Sequence, residues 1–114
     1  MESDKKLIGL QGENKAITHL ESLGFEILER NYRYKRAEID VIAMKSSLLV
    51  FIEVKKRKNN KYGHPEEFVS DRQKKLIISA ADDYIHAINW TKNIRYDIIA
   101  ITDNQLEHFE DAFY

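Results

Sequence analysis

The chain has no cysteine. That absence removes disulfides, zinc–thiolate centres and thiol nucleophiles together, and it fits a reducing compartment. No apolar run approaches the roughly 20 residues that a membrane-spanning helix needs. The opening Met1-Glu2-Ser3-Asp4-Lys5-Lys6 also lacks the apolar core of a signal peptide. The expectation is a cytoplasmic protein with no membrane partner. Neither sign of charge dominates: 18 Lys and Arg stand against 19 Asp and Glu, for a net charge of -1. No global field therefore draws the molecule toward nucleic acid. The phosphate-binding pattern Gly-x-x-x-x-Gly-Lys is missing, and Gly9-Leu10-Gln11-Gly12 is too short to replace it. His19, His64, His86 and His108 show no metal-ligand spacing and read as ordinary surface or loop residues. Internal repeats, low-complexity tracts and linkers are absent as well.

What is present is a chain of 114 residues, 43% hydrophobic and 32% charged. That length predicts one domain, residues 1–114, with a single core covered on one or two faces. A helix is expected over about residues 5–23. Leu10, Ile17 and Leu20 share one face there, Ala16 and Leu23 lie beside it, and Gly24 is a natural stop. Strands are expected at about 25–34, 37–45 and 48–57, followed by a loop at 59–65. A second helix, about 71–89, carries the stripe Leu76, Ile77, Ala80, Tyr84 and Ile88. A strand at 94–102, an Asp-Asn turn at 103–104 and a short edge strand at 105–109 complete the pattern. The order α-β-β-β-α-β-β indicates an α/β sandwich, a central mixed sheet flanked by helices. Tyr84 and Trp90 read as core or helix-end packing rather than platforms for bases.

Charges interrupt the two most apolar strands. Asp40 sits in Ala37-Glu38-Ile39-Asp40-Val41-Ile42, and Glu53 and Lys55 sit in Val50-Phe51-Ile52-Glu53-Val54-Lys55. A strand built to be buried does not normally carry such groups without a use for them. If Ser46-Ser47 forms a two-residue turn, Asp40 faces Glu53 and Glu38 faces Lys55. Alternation then places Glu38, Asp40, Ile42, Phe51, Glu53 and Lys55 on one face. It leaves Ile39, Val41, Ala43, Val50, Ile52 and Val54 as an apolar face to meet a helix. Two opposed carboxylates repel, and a divalent cation would reverse the sign of that interaction. Taken singly, each residue also suits an exposed, ion-paired sheet face. Together, Asp40, Glu53 and Lys55 suit a metal-dependent phosphodiesterase.

Two helical residues could complete such a site. Glu13 lies on the sheet-facing side of the first helix, although an acid early in a helix is also favoured by the macrodipole. Gln73 shares the stripe of Val69, Ile77 and Ala80, yet Ser70-Asp71-Arg72-Gln73 also reads as a capping box. The basic residues are segregated. Arg30, Arg33, Lys35 and Arg36 precede the first acidic strand; Lys55, Lys56, Arg57, Lys58 and Lys61 follow the second. They form a basic rim suited to a phosphate backbone, or simply a solvated charge run. The stretch with Asp103, Glu107, Glu110 and Asp111 is acidic.

With these residues in place, the chain resembles the YraN-like family of predicted endonucleases. The resemblance runs through Gly12-Glu13-Asn14-Lys15-Ala16, Gly24-Phe25-Glu26-Ile27-Leu28 and Arg30-Asn31-Tyr32-Arg33. It continues through Glu38-Ile39-Asp40-Val41-Ile42-Ala43, Val50 to Lys55 with Arg57, Gly63, Arg95-Tyr96-Asp97 and Asp111-Ala112-Phe113. Archaeal Holliday-junction resolvases look like more distant relatives, with a helical Glu, a strand Asp and Glu-x-Lys in the same order. Two departures stand out: Ala37 occupies a position usually Gly, and Arg72 replaces a lysine with its charge kept.

The resemblance implies a restriction-endonuclease-like PD-(D/E)xK fold and Mg²⁺- or Mn²⁺-dependent cleavage of DNA. Asp40 and Glu53 would be metal ligands with the Val54 carbonyl, and Lys55 would orient or deprotonate a water. Glu13 would position a water or a second ion, and Glu38 would support Lys55. Gln73, Arg33 and Arg57, with Arg36, Lys56 and Arg72, would contact nucleic acid. Resolvase-like nucleases work as dimers, so a homodimer is expected by analogy. The competing expectations are a nucleic-acid-binding module that keeps the fold without cleaving, and a protein-interaction domain using the edge near 105–109.

Overall fold

The computed structural model describes residues 2–57, 69–102 and 105–113, with side chains described from residue 11 onward. The chain runs α1 (Glu2–Ser22), β1 (Glu26–Tyr34), β2 (Ala37–Lys45), β3 (Leu48–Lys56), α2 (Asp71–Ala87), β4 (Asn93–Ile101) and β5 (Leu106–Phe113). This is the α-β-β-β-α-β-β order expected from the sequence. The loop expected at 59–65, with His64, and the turn at 103–104 lie outside the described residues, as do Lys58 and Lys61. No helix among the described residues is long and apolar enough to cross a membrane.

The five strands form one mixed sheet in the order β1-β2-β3-β4-β5. The pairs β1–β2, β2–β3 and β4–β5 are antiparallel, while β3–β4 is parallel. A parallel neighbour cannot be reached by a hairpin, which is why α2 lies between β3 and β4 as a crossover. The Ser46-Ser47 turn places Lys45 opposite Leu48 and Val41 opposite Ile52, the register expected from its length. Ser46 takes a left-handed φ of 54° there, as primed hairpin turns require. The edge strand β5 is longer than expected and ends on Phe113, which is buried and stacked on Tyr96.

Helices cover both faces, as expected of a central mixed sheet flanked by helices. Along β3, Leu49 and Phe51 join the α2 cluster with Ile77, Ala80, Ala81 and Tyr84, while Val50 and Ile52 join the α1 cluster with Ala16 and Leu20. Strand β2 follows the same alternation from Ile42 (under α2) through Val41 and Ala43 (under α1), then loses step. Ala37 and Ile39 both pack in the α2 cluster, so the alternation breaks at Asp40. Asn31, which lies between the pairs Arg30↔Val41 and Tyr32↔Ile39 on β1, has a φ of 53°. A left-handed residue re-aims the side chains on either side of it, and asparagine tolerates that conformation better than most.

Candidate active site

The irregularity at Asp40 is filled by its own side chain. The β2–β3 ladder runs as far as Val41↔Ile52, and beyond it Asp40 Oδ2 accepts the Val54 N–H at 2.8 Å. Glu53 lies on the α2 face, where it is only 8% exposed. It forms an ion pair with Lys55, Nζ to Oε1, at 3.4 Å.

Gln73 closes the arrangement from α2. The helix begins at Ser70, whose Oγ accepts the Gln73 N–H at 3.1 Å. The two expectations for Gln73 are therefore both met, because its backbone is capped and its side chain turns into the site. Gln73 Nε2 donates to Glu53 Oε1 at 3.1 Å, and Lys55 Nζ donates to Gln73 Oε1 at 3.4 Å. One amide thus spans the acid and the lysine. Arg36, Glu38, Asp40, Glu53 and Gln73 line an open cleft of about 220 Å³, with Leu76 and Ile77 as its apolar floor.

The electrostatics follow from that burial. Burial pushes the Asp40 carboxyl up to about 6, helped by the charges of Glu13 and Glu38 and opposed by the Val54 N–H. Burial and then the neighbouring Asp40 push Glu53 up to about 8, against the pull of Lys55. The two carboxyl groups are coupled through a side-chain hydrogen bond that one retained proton would supply. Near neutral pH the pair keeps one proton that neither acid would hold in water. A hard divalent cation is the chemical alternative to that proton, since it neutralises both oxygens' charge at once. Among the described residues no three His, Cys, Asp or Glu side chains converge on a common point. The donor set fits an ion held by two carboxylates, a backbone carbonyl and waters, as Mg²⁺ commonly is.

The other expected residues are distributed on both faces. Glu13 of α1 forms an ion pair with Arg30 at 3.7 Å and acts on Asp40 through its charge. Glu38 does not reach Lys55 as expected: it pairs with Arg33 across β1 at 3.4 Å, because β2 has already changed step at Asp40. Arg33 is largely exposed on that pair. Lys56 lies on the α1 side, its alkyl chain against Gly12 and its amine near Glu13, and desolvation lowers its pKa. A Cβ at position 12 would collide with Lys56 Cε. The Arg57 N–H bonds the Ile101 carbonyl at 2.8 Å, continuing the parallel β3–β4 ladder, and Arg72 is exposed in the first turn of α2.

Two histidines read as ordinary surface residues are not. Fully buried Asp97 accepts from Arg95 Nε at 2.8 Å and Arg95 Nη2 at 2.9 Å, and from the Asp111 N–H at 3.0 Å. His108 Nε2 lies 2.7 Å from Asp97 Oδ2, and His108 Nδ1 lies 3.1 Å from His19 Nε2. These contacts chain β4 to β5 and on to α1. The available signal was Asp97 inside the apolar run Tyr96-Asp97-Ile98-Ile99, the same anomaly that marks Asp40. His86 bonds the Asp82 carbonyl at 2.7 Å and is exposed, as expected. Tyr84 is buried and Trp90 donates to the Asn93 carbonyl at 2.9 Å, both in packing roles.

Comparison with known proteins gives a consistent result. Residues 12–101 match the model of uncharacterised protein family UPF0102. A UPF0102 protein of Cytophaga hutchinsonii is 46% identical over 98 residues, covering 86% of this chain and 87% of its own. One from Chlorobium phaeobacteroides is 41% identical across 99% of this chain and 98% of its own. One from Flavobacterium psychrophilum is 39% identical, covering 94% and 93%.

Proposed function

The chain belongs to the uncharacterised protein family UPF0102, the YraN-like proteins, and on that premise we propose that it is a divalent-metal-dependent endonuclease acting on DNA. The observation that carries the reading is the pair Asp40 and Glu53. Each is buried and holds its proton more tightly than in water, Asp40 raises the proton affinity of Glu53, and both open onto a cleft that Gln73 also lines, with Lys55 bonded to Gln73 and paired with Glu53. Such a pair costs stability when ionised and empty, and that cost is removed by a bound cation.

When bound, Mg²⁺ or Mn²⁺ supplies a more acidic water and neutralises charge developing at a phosphate. Asp40 and Glu53 would hold the ion, with the Val54 carbonyl as a third oxygen. The Val54 N–H fixes the Asp40 carboxylate through Oδ2, and the residue lines the cleft. Lys55 would orient the attacking water, accept its proton or meet the phosphate charge. Gln73 bridges Glu53 and Lys55, which keeps Lys55 beside Glu53 rather than swinging into solvent. Arg36, which lines the cleft, would meet a phosphate on its way in. The restriction-endonuclease-like fold implied by the resemblance supports the same assignment.

The test incubates purified protein with labelled single-stranded, duplex, flap and four-way-junction DNA, with Mg²⁺, Mn²⁺ or EDTA. Asp40→Ala protein runs alongside. Cleavage that needs the cation and disappears in the variant supports the proposal, and the preferred substrate identifies its class. Metal-independent binding by both proteins without cleavage would replace it with a nucleic-acid-binding module.

A further inference from the structure

Asn31 faces the point where β2 changes step, and it carries three features at once. Its φ of 53° places it in the left-handed region. It lies across from Asp40, between the pairs Arg30↔Val41 and Tyr32↔Ile39. Its side chain lies between two carboxylates from different elements. Carboxylates only accept, so the amide nitrogen must face them, an orientation assigned from the hydrogen-bond network. So placed, Asn31 Nδ2 lies 3.1 Å from Glu13 Oε1 and 3.1 Å from Glu38 Oε1. The two N–H bonds of one amide are thus divided between α1 and β2.

Each of those acids also has a cationic neighbour that draws it off. Arg30 holds Glu13 at 3.7 Å, and Arg33 holds Glu38 at 3.4 Å. Both arginines belong to β1, flanking Asn31 in sequence. Asn31 is the group that holds the two acids to each other rather than each to its own arginine. Both acids act electrostatically on Asp40.

We propose that Asn31 is a positioning residue of the Asp40/Glu53 centre, its amide tying Glu13 and Glu38 together so that both stay beside Asp40 as a cation arrives. This rests on the reading of that centre as a cation site. Asn31 acts through Glu13 and Glu38, the two acids its amide reaches. The left-handed φ is what allows a β1 residue to aim its side chain between the two acids, so one residue supplies both the bend and the tie.

The closing experiment separates the bend from the tie. Asn31→Gly keeps, and eases, the left-handed backbone while deleting the amide; retained secondary structure and melting temperature establish that it folds. Outer-shell changes of this kind cost about 10- to 100-fold in metal affinity. Mn²⁺ titration should therefore show Asn31→Gly binding roughly tenfold more weakly. Glu13→Gln should lose a comparable amount, and the double variant should be no weaker than the worse single one, because both remove one tie. Losses that multiply, or unchanged affinity in Asn31→Gly, would overturn the proposal. A second readout is independent of any ion. In EDTA, the Asn31 side-chain NH₂ protons should exchange several-fold more slowly than those of a free asparagine, and reach the free rate when Glu13 and Glu38 are both changed to Gln. Free-rate exchange in the parent protein would overturn the proposal. Failure of the parent to bind Mn²⁺ at all would fall on the proposed function, and the exchange experiment alone would then decide the role of Asn31.

Discussion

Replacing Glu53 by glutamine should make the metal-free protein more stable at alkaline pH, even though it deletes an ion pair. Glu53 is held at about 8 in the fold against a reference value of 4.5. A group whose folded pKa is raised stabilises the fold below its unfolded pKa, and that contribution is lost as pH rises through the folded value. The loss for Glu53 therefore runs from about pH 4.5 to about pH 8. At about 1.36 kcal/mol per pKa unit, full ionisation would cost roughly 4–5 kcal/mol. Relaxation and water entry make about 2–3 kcal/mol the working figure for a group at the mouth of a cleft.

Glutamine copies the protonated acid. It can still accept from Gln73 and donate toward Asp40, and it gives up only the Lys55 pair at 3.4 Å. Asp40, held up to about 6, then ionises beside a neutral neighbour. Thermal melts in EDTA between pH 5 and pH 9 test this. The parent should fall by roughly 8–12 °C across the range, at about 4 °C per kcal/mol for a domain of this size. Glu53→Gln should be much flatter and should melt above the parent at pH 9. Added Mn²⁺ should raise the parent at pH 8 and leave the variant unmoved. A parent flat from pH 6 to pH 9 in EDTA, or a variant below it at pH 9, would refute the reasoning.

Other predictions concern the rest of the molecule. Lys55→Ala should abolish turnover while keeping Mn²⁺ binding, measured by titration; equal loss of both would contradict its assignment. Asp97→Asn should destabilise by about 3 kcal/mol in chemical denaturation, because it leaves Arg95 and His108 without their shared buried anion. Burial and His108 lower the His19 pKa, so that group's contribution is complete above 6.5 and lost as pH falls through its folded value. His19→Gln should remove that acid-limb loss from a denaturation series between pH 7 and pH 5. Tyr32→Phe should cost about 1.5 kcal/mol, since the hydroxyl donates to Asp83 at 2.6 Å and pins β1 to α2.

The element order, the hairpin register from the turn to Val41↔Ile52 and the anomaly of acids in apolar strands were readable because they rest on short-range rules. Periodicity identifies strands and helices, a two-residue turn fixes which residues oppose, and a charge in an apolar strand stands out. What escaped has a longer reach. The position of Glu38 depended on strict alternation through Asp40, and that alternation is broken by a left-handed Asn31 on the neighbouring strand. No pattern within β2 announces a change imposed from β1. His19 and His108 are far apart in sequence, and their contact exists only because β5 lies next to β4 and α1 crosses that face. Gln73 carried two readings because capping involves its backbone and the site involves its amide, and the fold uses both.

The parallel step between β3 and β4 also bears on the order in which the protein assembles. The β2–β3 hairpin closes across two residues and can form early, whereas β3–β4 pairing must await the α2 crossover and is the slow, non-local event. Asp40 and Glu53 belong to the fast half, and Gln73 belongs to the slow one. Two acids thus meet before the amide that manages one of them arrives. Conditions that ionise both acids should act on the rate of folding as well as on the final balance. The hairpin would form most readily while a proton, or an ion taken up early, is already in place.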